Sequence, residues 1–390
     1  MISDNNGGLP RYCHPFHGDW DVARIALDIP ESKVLFVCPA SCARIIKLNS
    51  FLSGYADRIY VLGLTEADIV AGDYEKKTYE AACEIIETEE IKPKALIIYV
   101  SCIDAMLGND HSFQTKKVME KHPDVNCFVL KMCPITRYST DLPLVELQND
   151  MYSALPLEKV EKTRTVAFIG ANIAPGEDNE IVKLLKANNY RVLHIQASDK
   201  YEDYLDIRSS VLNIAVMPFA RKACETLKKR YGTEYMPVLL RPDPDYIDGV
   251  IKELCSRLDI ECPDVAGLRE EALNELRSAA KAVEGYEIII DSTANMFPLV
   301  LKEVLKNTGF NVKMIYRDSA DTAAPDIDSG HITMPGKRLF VEQPGTLAIG
   351  EVANCFSATE KGIKLFYDNG YMGYAALKKL AQLIKEGGKE

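Results

Sequence analysis

Short runs of apolar, often β-branched residues alternate along this chain with longer stretches in which apolar residues recur every three or four positions. The short runs predict strands at 34–38, 59–62, 95–101, 126–132, 165–170, 192–196, 212–217, 236–240, 287–292, 311–316 and 338–341. The longer stretches predict helices between them. Over 78–88, Ala81, Ala82, Ile85 and Ile86 share one face. Residues 179–189 and 220–231 read the same way, the second stopped by Gly232, and a longer helix is expected over 265–284. Regular alternation of strand and helix predicts βα units wound into mostly parallel sheets, an α/β fold.

Two seams interrupt the pattern. Leu155-Pro156-Leu157 precedes a charged run, and Cys262-Pro263-Asp264 precedes the long helix. They divide the chain into three expected Rossmann-like, doubly wound domains, 1–158, 159–262 and 263–390, each near the usual domain size.

Composition narrows the function. The net charge of −11 argues against nucleic acid, which selects clustered Lys and Arg. The first twenty residues carry no apolar core of a secretory signal. No apolar run reaches the ~18 residues of a membrane span. A cytoplasmic protein without membrane partners is therefore expected. In that compartment the 11 cysteines are not a disulfide framework. Cys83, Cys127, Cys224 and Cys255 lie in apolar patterns and read as small buried hydrophobes, while Cys262 and Cys355 are ambiguous.

The remaining cysteines fall differently. Cys38, Cys102 and Cys133 each end a predicted strand, Cys42 follows Cys38 by one helical turn, and Cys13 precedes the first strand. In a parallel sheet the C-terminal strand ends face one crevice, where ligands bind. Thiolates gathered there commonly hold an iron–sulfur cluster. Zinc is an alternative, since Cys38-x3-Cys42 supplies half of a zinc pattern and Cys13-His14-Pro15-Phe16-His17 offers mixed ligands. The singletons Cys102 and Cys133 fit a cluster assembled from separate strand ends better. Cys42 at a helix start also suits a nucleophile, because helix N-termini favour thiolate, with His111, just beyond the Cys102 strand end, as the candidate base. Gly170-Ala171-Asn172 lacks the second and third glycines of a dinucleotide loop, and no Walker motif is present, so nucleotide binding is not expected.

Several segments resemble the nitrogenase component 1 family. Pro39-Ala40-Ser41-Cys42 resembles that family's Gly-Pro-x-Gly-Cys turn. Leu64-Thr65-Glu66-Ala67-Asp68-Ile69-Val70-Ala71-Gly72 resembles Leu-Thr-Glu-x-Asp-Ile-Val-x-Gly, and Ser101-Cys102 with Leu107-Gly108-Asn109-Asp110 resembles Thr-Cys…Ile-Gly-Asp-Asp. Weaker echoes are Leu212-Asn213-Ile214, Lys229-Arg230-Tyr231-Gly232 and Gly370-Tyr371-Met372-Gly373-Tyr374-Ala375. The resemblance implies three Rossmann-like domains and a cluster, 4Fe-4S or larger, at a subunit interface. Cys13, Cys42 and Cys102 match the family's cluster cysteines; Cys38 falls where relatives have Gly, as an extra ligand or a bystander. Three thiolates per chain imply a homodimer or a heterodimer with a related chain. A separate ATP-dependent iron–sulfur reductase is the implied electron donor.

Two positions depart from nitrogenase. Met217 stands where the family's heterometal cofactor has its Cys ligand, and Asn369 where it has its His. Neither replaces a thiolate or an imidazole well at a soft-metal site. The implied substrate is then organic, a tetrapyrrole or another molecule, in an interdomain cleft for which Asn172, Pro218, Arg221, Thr293 and Asn295 are candidate lining. The rivals are a non-catalytic scaffold for metallocluster assembly and a plain small-molecule binding protein.

Overall fold

The apolar runs form strands because side chains of one strand must satisfy two covered faces in turn. Val34, Phe36 and Cys38 pack into one core, while Leu35 and Val37 pack into another on the opposite side of the same sheet. The computed structural model describes residues 25, 27–52, 54–131, 143–170, 174–291, 294–295, 297–316, 342–350, 358–363 and 372–387.

The first sheet is built from β1 (Ser32–Pro39), α1 (Ala40–Leu52), β2 (Ile59–Leu64), α2 (Glu66–Ala71), α3 (Tyr74–Thr88), β3 (Ala95–Val100), α4 (Cys102–Leu107), α5 (Ser112–Lys121) and β4 (Asn126–Lys131), followed by α6 (Pro143–Ser153). The second takes β5 (Thr165–Ile169), α7 (Glu180–Ala187), β6 (Arg191–Leu193), α8 (Tyr201–Asp206), β7 (Leu212–Ala215), α9 (Arg221–Tyr231), β8 (Glu234–Pro237) and α10 (Pro244–Leu258). After the long α11 (Val265–Ala282) come β9 (Glu287–Asp291), α12 (Pro298–Asn307), β10 (Asn311–Tyr316), β11 (Glu342–Ile349), β12 (Ala358–Ile363) and α13 (Gly373–Gly387).

All strand pairs in the three four-stranded sheets are parallel, and each sheet has the same order: β2-β1-β3-β4, β6-β5-β7-β8 and β10-β9-β11-β12. The expected α/β fold with three parallel sheets is thus observed. Three strands differ from expectation, and one of them, β11, occupies 342–349, where no strand was predicted. β8 begins at Glu234, two residues before the predicted 236–240, because ladder pairing with β7 and not apolarity sets its start: Glu234 lies opposite Leu212. β12 was not expected, since Ala-Thr-Glu-Lys-Gly-Ile carries one large apolar residue, and it forms the edge of its sheet. The strand predicted at 338–341 lies outside the described residues.

The sheets are joined by shared cores. Phe168 of β5, Ile290 of β9 and Leu380 of α13 belong to one cluster; Phe36 of β1, Tyr99 of β3 and Ile169 of β5 belong to another. The Pro156 seam is held by α9. The Arg230 guanidinium donates to the carbonyls of Ser153 and Leu155 at 2.6 Å each, and Tyr231 Oη donates to Pro156 O at 2.7 Å. A cation on the free carbonyls at the end of α6 also complements the helix dipole. Among the described residues no helix is long and apolar enough to cross a membrane.

Candidate functional site

β1 and β3 are hydrogen-bonded neighbours, Val37 opposite Val100. The chain leaving β1 enters α1, whose Ala43 and Ile46 pack on the face of Phe36 and Tyr99. The chain leaving β3 reaches α5, whose Val118 packs on the face of Leu35 and Ile98. The two connections depart to opposite faces, so a crevice opens between the strand ends. In a parallel sheet this switch point is the ligand-binding position.

Two predicted ligands stand there. Cys42 is the third residue of α1 and Cys102 the first of α4; both are partly exposed. Cys38 is buried beneath them, at the end of β1. Burial pushes its thiol up to about 12, and the neighbouring Cys42 adds to the rise. Cys38 is therefore a thiol of the core, unlike the partly exposed Cys42 and Cys102. Cys13, His14, His17, Cys133, Asn172, Thr293 and Asn369 lie outside the described residues. Among the described residues no three His, Cys, Asp or Glu side chains gather to hold a metal ion. Two soft, accessible thiols on adjacent strand ends nevertheless fit an iron–sulfur group that takes its other ligands elsewhere.

The motifs around these cysteines have local structural reasons. Thr65 caps α2: its hydroxyl accepts the Asp68 N–H, and the Asp68 carboxylate accepts the Thr65 N–H at 2.9 Å, a capping box. Gly72 closes the same helix with φ 69°. Lys77 pairs with Asp68 and, with the Thr65 bonds, holds that carboxyl well below the usual carboxylate range. Gly108 ends α4 likewise with φ 69°, and Asp110 accepts the Ser112 N–H at 2.9 Å at the start of α5.

Sequence reasoning missed a network behind Cys102. Asp104 Oδ1 accepts from Tyr74 Oη at 3.1 Å and from His111 Nε2 at 2.7 Å. All three residues are buried, and they tie α4 to α3 and α5. His111, the candidate base for a nucleophilic cysteine, thus has Nε2 engaged by a carboxylate. The available signal was Asp104 itself, a charged residue two positions after Cys102 between apolar neighbours.

Two of the five candidate cleft residues, Asn295 and Arg221, have partners within the protein. Asn295 Nδ2 donates to Leu240 O at 3.0 Å, and its Oδ1 accepts the Phe297 N–H at 2.7 Å. Arg221 pairs with Glu225 on an exposed turn of α9. Pro218 begins a short 3-10 turn, Pro218–Ala220. Met217 is buried with Val216 and Phe219 in the core of the second and third sheets. Gly170, at φ 92°, has the Ala220 methyl against it where a side chain would go. That close approach of two βα turns, and not phosphate binding, accounts for the glycine.

A family model of the nitrogenase component 1 type oxidoreductases matches residues 20–328. A stretch of 62 residues is 39% identical to the nitrogenase iron-molybdenum cofactor biosynthesis protein NifE of Mesorhizobium japonicum; it covers 16% of this chain and only 12% of that protein. Of solved structures, nitrogenase Cp1 at pH 6.5 matches with a TM-score of 0.68 at 14% identity, over 99% of this chain and 93% of the other. Nitrogenase Cp1 at pH 5 matches with 0.64 at 13% identity, over 94% and 86%. At these identities the structural likeness is one of fold.

Proposed function

The chain belongs to the nitrogenase component 1 type oxidoreductases, and on that premise we propose that it is the substrate-reducing subunit of an iron–sulfur enzyme acting on an organic molecule, a tetrapyrrole or one of similar chemistry. The observation that carries this reading is the pair of partly exposed thiols, Cys42 and Cys102, at the switch point of the first sheet. Cys13 is the third ligand, and Cys38, one helical turn before Cys42 in the sequence, is a candidate extra ligand. A bound 4Fe-4S or larger cluster supplies one-electron chemistry. The chain's own part is to present thiolates at fixed strand ends, to brace the Cys102 turn through Asp104, and to exclude water with the cores on either side.

An ATP-dependent iron–sulfur reductase is the proposed electron donor. Three thiolates per chain leave a cubane short of its usual four, so a second copy or a related chain completes the site. Large apolar side chains exposed on helices that follow the strand ends support such a contact. Phe51 of α1, Val70 of α2 and Met106 of α4 are 74%, 88% and 72% exposed. Met217, packed in a core, supports a substrate site without a heterometal held there. The three-domain division at 158 and 262 belongs to the same proposal.

A second reading, a scaffold on which a metallocluster is assembled, is favoured by the 62-residue likeness to NifE. Iron and acid-labile sulfide per chain, with an absorption spectrum after anaerobic purification, test the cluster. Protein free of iron after cluster reconstitution would remove both readings. Steady-state turnover of a tetrapyrrole with a reductase and ATP then separates enzyme from scaffold.

A further inference from the structure

Cys255 and Cys262 flank the connection between the second sheet and the helix that leads into the third. Cys255 is buried in the last turn of α10, and Cys262 is exposed in the loop before α11. The backbone fixes the turn between them. Asp259 takes a left-handed conformation at φ 50°, and its N–H donates to Cys255 O, as does the Ile260 N–H at 3.1 Å. The chain therefore reverses over the end of α10. Leu258 and Ile260 anchor the turn by packing against the core. Asp264 then fixes the start of α11 by accepting the Gly267 N–H at 3.0 Å. This return brings the Cys262 thiol into hydrogen-bonding contact with Cys255.

Two thiols in contact, one exposed and one buried, match an attacking and a resolving cysteine. First attack on a disulfide needs a thiolate that solvent can reach, and Cys262 is the accessible one. Burial and the contact with Cys262 push the Cys255 thiol up, so Cys255 does not compete for that step. Once Cys262 is joined to a small molecule, Cys255 is the thiol already held beside it. The loop between them is short and ordered, so closing it costs little further entropy.

We propose that Cys255 and Cys262 form a reversible disulfide by exchange with a small-molecule disulfide of the glutathione type. The Cys262 thiolate attacks one sulfur of that molecule and expels the first small thiolate, which takes up a proton. Cys255 then loses its proton to solvent, attacks the Cys262 sulfur and expels the second. Two protein thiols are oxidised, and one small disulfide is reduced to two thiols. In a thiol-reducing compartment such a bridge is transient and follows the redox state. When formed, it pins the end of α10 to the cap of α11. The switch does not depend on the cluster reading, because neither cysteine is a proposed ligand.

To test this, the reduced full chain is incubated anaerobically with glutathione disulfide, remaining thiols are blocked with iodoacetamide, and tryptic peptides are mapped by mass. Trypsin cuts after Lys252, Arg257 and Arg269, so the bridge is read as peptide 253–257 linked to peptide 258–269. In wild type the linked pair should exceed the glutathione adduct of Cys262 by about tenfold or more. Cys255→Ser should instead leave Cys262 as a stable glutathione adduct. If that core variant does not fold, Cys262→Ser, at an exposed position, should leave Cys255 unmodified. Wild-type Cys262 that stays as the glutathione adduct, bonds to another cysteine or does not react overturns the proposal, as does modification of Cys255 in Cys262→Ser.

Discussion

The Glu180 carboxylate lies across the first turn of the last helix and accepts the Tyr374 N–H at 2.6 Å. Its second oxygen accepts the Ala375 N–H at 3.0 Å, and neighbouring Asn179 donates from Nδ2 to Met372 O at 2.9 Å. A carboxylate on the free N–H groups of α13 is where the helix dipole favours it. Residues nearly two hundred positions apart thereby join the second and third sheets. The Met372-Gly373-Tyr374-Ala375 part of that family echo has a structural reason in this contact.

Gly373 sits at φ 66°, and a methyl group there would overlap Glu180 Oε1. Gly373→Ala therefore meets both a strained backbone and a displaced capping carboxylate. It should lower unfolding free energy by roughly 2–4 kcal/mol, read as a lower Tm. Gly249→Ala, in the exposed interior of α10 with no atom within 4 Å of the added carbon, is the comparison and should be neutral or slightly stabilising. Equal melting of the two variants would remove the proposed role of Glu180.

His194 gives a pH signature. It is buried at the end of β6 with both ring nitrogens unpartnered, and desolvation lowers its pKa from 6.5 to about 3. Between those values the unfolded chain binds the proton and the folded chain does not. Stability tied to this ring is present above pH 6.5 and drains as pH falls toward 3, at up to roughly 1.4 kcal/mol per pH unit. Asp150 works in the opposite sense: burial raises its carboxyl from 3.8 to about 6, so ionising it in the fold costs stability as pH rises through that window. The two slopes partly cancel in wild type. His194→Leu should remove the first and leave stability falling with rising pH across the Asp150 window. Denaturant titrations of both proteins from about pH 4 to 7 check this; parallel curves would show that His194 is protonated at no cost.

The fold was legible because its strands are apolar on both faces and its helices are periodic. Covered parallel sheets produce that pattern. β12 escaped because an edge strand needs little apolarity, with Ile363 sufficing. Cys42 and Cys102 were legible from position alone, since both follow strands that turned out to be neighbours. The Asp104–His111 contact was not: His111 is the residue before α5, and only the turn that follows α4 at Gly108 brings it back to Asp104. The resemblance also blurred two kinds of residue. Thr65, Gly72 and Gly108 read as family signature, yet each serves a helix cap and would be needed for any function.

The cysteines divide into two classes by burial, and substitution should separate them. Cys42→Ala and Cys102→Ala are expected to lose most of the bound iron with little change in Tm. Cys224 and Cys255 lie in cores, where burial raises both thiols. Cys224→Ala and Cys255→Ala should retain iron and lose about 1 kcal/mol of stability to the cavity left behind. Cys38→Ala is expected to do some of each. Iron content by colorimetric assay alongside thermal melts reads both effects. Full iron retention in Cys42→Ala and Cys102→Ala would move the site elsewhere.

Assembly follows from the same strand ends. Leu48 and Phe51 are one turn apart on α1 and both exposed, at 57% and 74%; Val70 on α2 and Met106 and Leu107 on α4 are exposed too. These helices leave the edge of the sheet that carries Cys42 and Cys102. Large apolar groups concentrated there lose water on meeting a partner, at about 25 cal/mol per Å² of apolar surface. A carboxylate in the middle of such a contact instead costs roughly 2 kcal/mol or more to desolvate unpaired. Wild type should sediment as a dimer or larger species. Phe51→Glu and Met106→Glu should shift it toward monomer without unfolding it, because neither side chain belongs to a core. If a shared cluster bridges the subunits, iron should fall with the dimer fraction in the same samples. Monomeric wild-type protein carrying a full complement of iron would end the shared-site reading, whereas monomeric variants that keep their iron would place every ligand within one chain.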